Sequence, residues 1–187
     1  MSTAMQEWPR RHRITVEHFY RMADAGLFEA DERVELINGE IIDMPPMGSR
    51  HASALEQLTT ALVIAAGVRA IVRAQLPLRL GDDSEPQPDI AVVAPRADRY
   101  RSSHPMAGDA LLVIEISDAT LRYDRDVKVP MYARYSVPAV WIVDLKANQL
   151  HAYAAPRDGT YTHEASVLGR RALAVLSDVS VDLSNLL

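Results

Sequence analysis

The sequence predicts an α/β (α+β) fold, with a central mixed β-sheet flanked by helices. Three observations carry that expectation. Gln87-Pro88-Asp89-Ile90-Ala91-Val92-Val93 and Leu111-Leu112-Val113-Ile114-Glu115-Ile116-Ser117 are short, β-branched apolar runs of the kind that form buried strands. Val140-Trp141-Ile142-Val143-Asp144 is a third run of this kind. Segments with helical spacing separate the strand-like runs, so helices and strands alternate along the chain.

Taken in order, Thr15 is placed to cap a first helix through about Ala25, with Phe19, Tyr20 and Met22 as apolar contacts and Gly26 at its end. Arg33-Val34-Glu35-Leu36-Ile37 and Glu40-Ile41-Ile42-Asp43-Met44 flank Asn38-Gly39, a strong hairpin signal because a type I′ turn needs positive φ at both central residues. Pro45-Pro46 ends that strand. A helix is expected from about Arg50 to Ala66, with Ala54, Leu55, Leu58, Ala61, Leu62 and Ala65 on its apolar face. Ala70 to Gln75 reads as a strand, and Leu76-Pro77-Leu78-Arg79-Leu80 as an alternating, half-exposed one. Arg96 to Asp109 reads as an exposed connection. A helix near Asp124 to Tyr135 holds Pro130, expected in its first turns or at a kink. Leu150 to Tyr153 and Thr160 to Val167 form antiparallel strands around Asp158-Gly159, and Val179 to Leu183 closes the chain.

The 187 residues are expected to make one domain over 1–187, with 1–12 flexible. The apolar fraction of 48% argues against extensive disorder. No apolar run approaches the ~20 residues that span a bilayer, so no membrane partner is expected. Met1 to Arg13 lacks the apolar core of a secretory signal. Zero cysteines exclude disulfides, thiolate nucleophiles and Cys-type zinc sites, and a cytoplasmic location is expected. The six His residues include no HxxxH pair, and neither a GxSxG elbow nor a Gly-rich phosphate loop occurs. A net charge of −5 disfavours a simple nucleic-acid binder with one strongly basic face. Local basic clusters at Arg10 to Arg13 and Arg96 to Arg101 read equally well as solvated surface.

Asp89 and Glu115 carry the chemistry. A buried strand excludes carboxylates unless they are paired or bind a cation. If the two strands pair antiparallel, both acids meet at one edge, with the Ile116 carbonyl as a third oxygen. Hard Mg²⁺ or Mn²⁺ prefers such oxygen donors and can activate water for phosphodiester hydrolysis. The competing reading makes both acids structural, bonded to backbone amides or to Arg73, Arg79 or Arg122.

The chain resembles the Uma family of restriction-endonuclease-like proteins, within the PD-(D/E)XK nuclease superfamily. The resemblance runs from about Arg33 to Asp144. It rests on Val34-Glu35-Leu36-Ile37-Asn38-Gly39-Glu40-Ile41, His51, Gln75-Leu76-Pro77-Leu78, Pro88-Asp89, Val113-Ile114-Glu115-Ile116-Ser117, Asp124 to Lys128 with Tyr132, and Trp141 to Asp144. It implies a restriction-endonuclease-like core and a Mg²⁺- or Mn²⁺-dependent DNA endonuclease, with metal on Asp89, Glu115 and Ile116. The superfamily's Lys should stand at position 117, where this chain has Ser117. The family resemblance moves that role to Lys128, whose charge would stabilise the nucleophile and the transition state.

The same resemblance brings Glu35 to the centre as an outer metal ligand or water holder, against an exposed hairpin acid paired with an Arg. His51 can orient phosphate or a ligand carboxylate, or simply begin a helix. Gln75 can bond a ligand or only local backbone. Ser117 departs from the motif, and Asp124 and Arg125 read as a solvated turn. Tyr132 is expected to pack, with its hydroxyl on Lys128. DNA is the expected partner, and a homodimer or higher homo-oligomer follows because one cleft cuts one strand. The alternative is a catalytically silent nuclease-fold module that binds DNA or a protein.

Overall fold

The computed structural model describes residues 11–29, 31–167, 170–173 and 176–182. The flexible stretch expected at 1–12 falls outside them up to residue 10, as does Leu183 of the expected closing strand.

Helix α1 spans Val16–Asp24. The Thr15 hydroxyl accepts the His18 N–H at 3.2 Å and so satisfies one of the helix's free donors. Val16 and Phe19 pack with Val34 and Leu36 of the following hairpin, while Tyr20 stays partly exposed and donates its hydroxyl to Glu85. Thr15→Ala is expected to destabilise the fold by about 1 kcal/mol, a fall of roughly 2–4 °C in Tm by calorimetry. An unchanged Tm would show that α1 is held by packing alone.

The hairpin pairs β1 (Val34–Ile37) with β2 (Glu40–Asp43), and Ile37 faces Glu40 across the two-residue turn. Asn38 and Gly39 have φ of 53° and 76°, as a type I′ turn requires. Helix α2 (Ser49–Ala66) follows Pro45-Pro46, and Gly67, at φ 55°, ends it. The main sheet has six strands: β3 (Ile71–Ala74), β4 (Ile90–Val93), β5 (Ala110–Ser117), β6 (Ala139–Asp144), β7 (Gln149–Arg157) and β8 (Thr160–Val167). They lie in chain order and pair antiparallel except β5 with β6. That parallel pair needs a crossover, made by a short helix α3 (Leu121–Tyr123), a π turn (Asp124–Lys128) and helix α4 (Val129–Arg134). Strands β9 (Arg170–Leu173) and β10 (Leu176–Asp182) form a separate antiparallel pair.

Alternation along the strands divides the core. Ile90, Val92, Leu112, Ile114 and Trp141 pack with Leu58 and Leu62 of α2. Val113, Val140 and Ile142 pack on the other face with Met131 and Tyr132 of α4 and Ile37 of the hairpin. Glu115 shares the parity of Val113, so it points toward α4.

The strand expected at Leu76–Leu80 does not form. Gln75 takes φ 52° and Pro77 has no N–H, so the backbone leaves the ladder, and only Arg79 makes an isolated bridge, to Met106. The period-two pattern there reflects burial of Leu78 and Leu80 beside α4, with their N–H groups bonded across the loop to Pro86 and Ser84.

Candidate active site

Ile90 is paired with Ile114 on antiparallel β4 and β5, and one further step sets Asp89 opposite Glu115. The two strand ends thus bring both carboxylates to one edge of the sheet, where Asp89, Glu115 and Ile116 line a cavity of about 400 Å³. Glu35 and Lys128 complete its floor.

The Asp89 carboxylate is held on both oxygens. Oδ2 accepts the Ile116 N–H at 2.8 Å, and Oδ1 lies 2.8 Å from His51 Nε2 and accepts from Gln75 Nε2 at 3.3 Å. Lys128 Nζ lies 3.1 Å from Glu35 Oε1 and 3.3 Å from Glu115 Oε1. Tyr132 donates its hydroxyl to Glu115 Oε1 at 2.7 Å, so its partner is the acid rather than Lys128. Glu35 also accepts the Gln87 N–H at 3.0 Å. It is a buried acid on β1 paired with Lys128, not an exposed one paired with an Arg.

None of the three arginines considered as partners for Asp89 and Glu115 reaches them among the described residues. Arg73 lies over the Tyr100 ring, Arg79 reaches Asp82, and Arg122 reaches Asp126.

Asp124 is a correction. It is 4% exposed rather than solvated, and its Oδ2 accepts both the Ser117 hydroxyl at 2.5 Å and the Thr120 hydroxyl at 2.7 Å. Arg125 does lie at the surface, paired with Asp126. The Ser117 hydroxyl, at the position where the nuclease motif has its Lys, therefore anchors the start of the helix that carries Lys128. Asp124 begins the π turn, closed by the Val129 N–H on the Asp124 carbonyl, and Lys128 ends it. Pro130 lies in the first turn of α4, where its missing N–H costs least.

Glu35 and Glu115 pair with the Lys128 ammonium, and Asp89 and Asp124 stand near Glu115. Burial pushes the Glu115 carboxyl from 4.5 up to about 8, with Asp124, Asp89 and Glu35 adding to the rise against Lys128. Burial alone would lower the Lys128 ammonium, but Glu115, Glu35 and Asp124 outweigh it and hold that pKa above its ordinary value. Burial raises Asp124 and Tyr132 too. The hydrogen bond to Asp89 outweighs burial at His51 and raises its imidazole.

A folded-state pKa above the unfolded one means that the folded state binds the Glu115 proton more tightly. The metal-free protein should then lose stability as pH rises through the window from 4.5 to about 8. Urea midpoints at about pH 6 and about pH 9 should fall further apart for wild type than for Glu115→Gln. Equal differences would mean that Glu115 is already ionised at neutral pH.

Among the described residues, no three His, Asp or Glu side chains stand close enough to hold a metal unaided. Two carboxylates with the Ile116 carbonyl are an all-oxygen set, which suits Mg²⁺ or Mn²⁺ better than softer ions. The cluster has more carboxyls than cations, and a divalent cation beside Glu115 would favour its ionised form.

A family model described as Uma2, "Putative restriction endonuclease", matches residues 16–184. The chain belongs to the Uma2 family. The mixed sheet with flanking helices is also that of a solved structure, "a putative nuclease belonging to DUF820" from Anabaena variabilis ATCC 29413. That match has a TM-score of 0.69 and 17% identity, and covers 92% of this chain and 97% of that one. No curated protein matches this Uma2 chain. Among its described residues, no helix is long and apolar enough to cross a membrane.

Proposed function

We propose that this Uma2 chain is a divalent-metal-dependent DNA endonuclease. The observation that carries the reading is the meeting of Asp89 and Glu115 at the paired ends of β4 and β5, with the Lys128 ammonium 3.3 Å from Glu115. Asp89, Glu115 and the Ile116 carbonyl would hold Mg²⁺ or Mn²⁺. The ion, when bound, would supply Lewis-acid charge and a water more acidic than bulk water. His51, Gln75 and the Ile116 N–H orient Asp89, and Tyr132 orients Glu115. Lys128 places a fixed positive charge where negative charge develops on the phosphate, and Glu35 keeps that ammonium in the cleft. Ser117 and Asp124 set the helix that delivers it. Cutting both strands of a duplex would take two copies of the cleft, which supports a homodimer.

The test is cleavage of supercoiled plasmid and of labelled oligonucleotides in Mg²⁺, Mn²⁺ or EDTA, alongside calorimetric titration of Mn²⁺. Cleavage that EDTA abolishes is expected. A folded protein that binds neither ion and cuts nothing would instead be a silent module that binds DNA or a protein.

A further inference from the structure

The acids and Lys128 account for the floor of the cavity but not its walls. One wall is the segment from Ile42 through Met44, Pro45, Pro46 and Met47 to Gly48, which joins β2 to α2. Ala119 and Tyr123 also line the cavity. The Pro-Pro pair stiffens the first wall, and its half-buried methionines present soft, polarisable surface suited to the face of an aromatic ring. A phosphate and a metal need no such surface; a base does.

Two further observations agree. The Tyr123 hydroxyl is buried and has no hydrogen-bond partner among the described residues, although the ring lines the cavity. A buried hydroxyl without a partner is costly, and the adjoining cavity is where an occupant could supply one. In charge, six carboxylates line the cavity against two cations, Arg33 and Lys128. A duplex is held mainly through many phosphate contacts to Lys and Arg, which this lining does not offer. One nucleotide brings only the phosphates at its own ends, within the capacity of Arg33, Lys128 and a bound divalent ion.

Resting on the nuclease reading above, we infer that the cavity seats a single nucleotide of an unpaired strand. The base lies against the Met44–Met47 wall near the Tyr123 hydroxyl, and the phosphate lies over Asp89 and Glu115. At about 400 Å³ the cavity is in the range of small-ligand pockets. Base pairing must be absent or broken before a base can enter. A cleft that works on unpaired strands needs no second copy, so pairing of copies belongs to duplex cleavage alone.

The test uses fluorescence anisotropy with calcium in place of magnesium. The probes are labelled single-stranded DNA, single-stranded RNA of the same sequence, and blunt duplex DNA. One or both single strands should bind about tenfold or more tighter than duplex, and their ratio reports the preferred sugar. Tyr123→Phe and Met47→Ser should each weaken that binding severalfold and leave duplex binding unmoved. Duplex binding as tight as the better-bound strand, no single-strand binding, or wild-type binding by both variants would overturn the inference. Hydrolysis of bis(p-nitrophenyl) phosphate with Mn²⁺ reads the metal chemistry without the walls. Its failure beside a retained single-strand preference would remove the nuclease and leave the nucleotide pocket standing.

Discussion

Lys128→Met is expected to cost the fold about 3–5 kcal/mol, because it leaves the buried Glu35 and Glu115 carboxyls without the ammonium that both contact. Wild-type Lys128 lies 3.1 Å from Glu35 and 3.3 Å from Glu115, and each of the three is less than a tenth exposed. Met matches the length of the stem, so packing changes little and the loss is electrostatic. Without the ammonium, which now opposes the rise, the Glu115 carboxyl would be held higher still, so the deficit should be smaller at lower pH. Urea denaturation at about pH 7 and about pH 9 should therefore show the variant closer to wild type at the lower pH. Adding Glu35→Gln should return part of the loss, since the partners form one network. Cleavage should fall on the order of 10²–10³-fold, the scale of removing one preorganised charge from a transition state. A variant as stable as wild type at both pH values would show that the ammonium is not what permits these acids to be buried.

Asp89→Asn should remove metal binding and cleavage together while the fold survives. The amide is the same size as the carboxylate but carries only one acceptor oxygen. It must turn its NH₂ either toward the Ile116 N–H or toward His51 and Gln75, all of which now bond to Asp89. That mismatch is worth about 1–3 kcal/mol, which a domain of this size can absorb. Loss of an outer partner of a metal ligand already costs 10–100-fold in affinity, so losing the ligand should cost at least about 10²-fold. Mn²⁺ titration and plasmid nicking in the same buffer measure both. Unchanged Mn²⁺ affinity would exclude Asp89 as a ligand.

Local chemistry made some elements readable from sequence. Asn38-Gly39 admits few alternatives to a type I′ turn, and Thr15 announces a helix start by its side chain alone. The approach of Asp89 to Glu115 was conditional, since a strand shows its acid but not its neighbour's register. It became definite only with the Ile90–Ile114 pairing. Asp124 escaped because a polar residue at the start of a helix looks the same whether solvated or buried. Only its acceptance of two hydroxyls, one from the end of β5 and one from the turn after it, distinguishes it, and Ser117 and Thr120 were the available clue. The strand expected at Leu76–Leu80 misled for the opposite reason. Its alternation is real, but backbone torsion at Gln75 and the missing donor at Pro77 override it.

Because Lys128 arrives through the wide turn that begins at Asp124, its direction is a matter of angular phase. One residue gained or lost within the helical turns between Leu121 and Lys128 would rotate the ammonium by about 100° about the helix axis, away from both acids. Length changes in this crossover are then tolerable only in near-whole turns of three or four residues. A cation borne on the strand beside its acid is locked by the pleat; this one is held by winding, and the crossover acts as the cleft's length gauge.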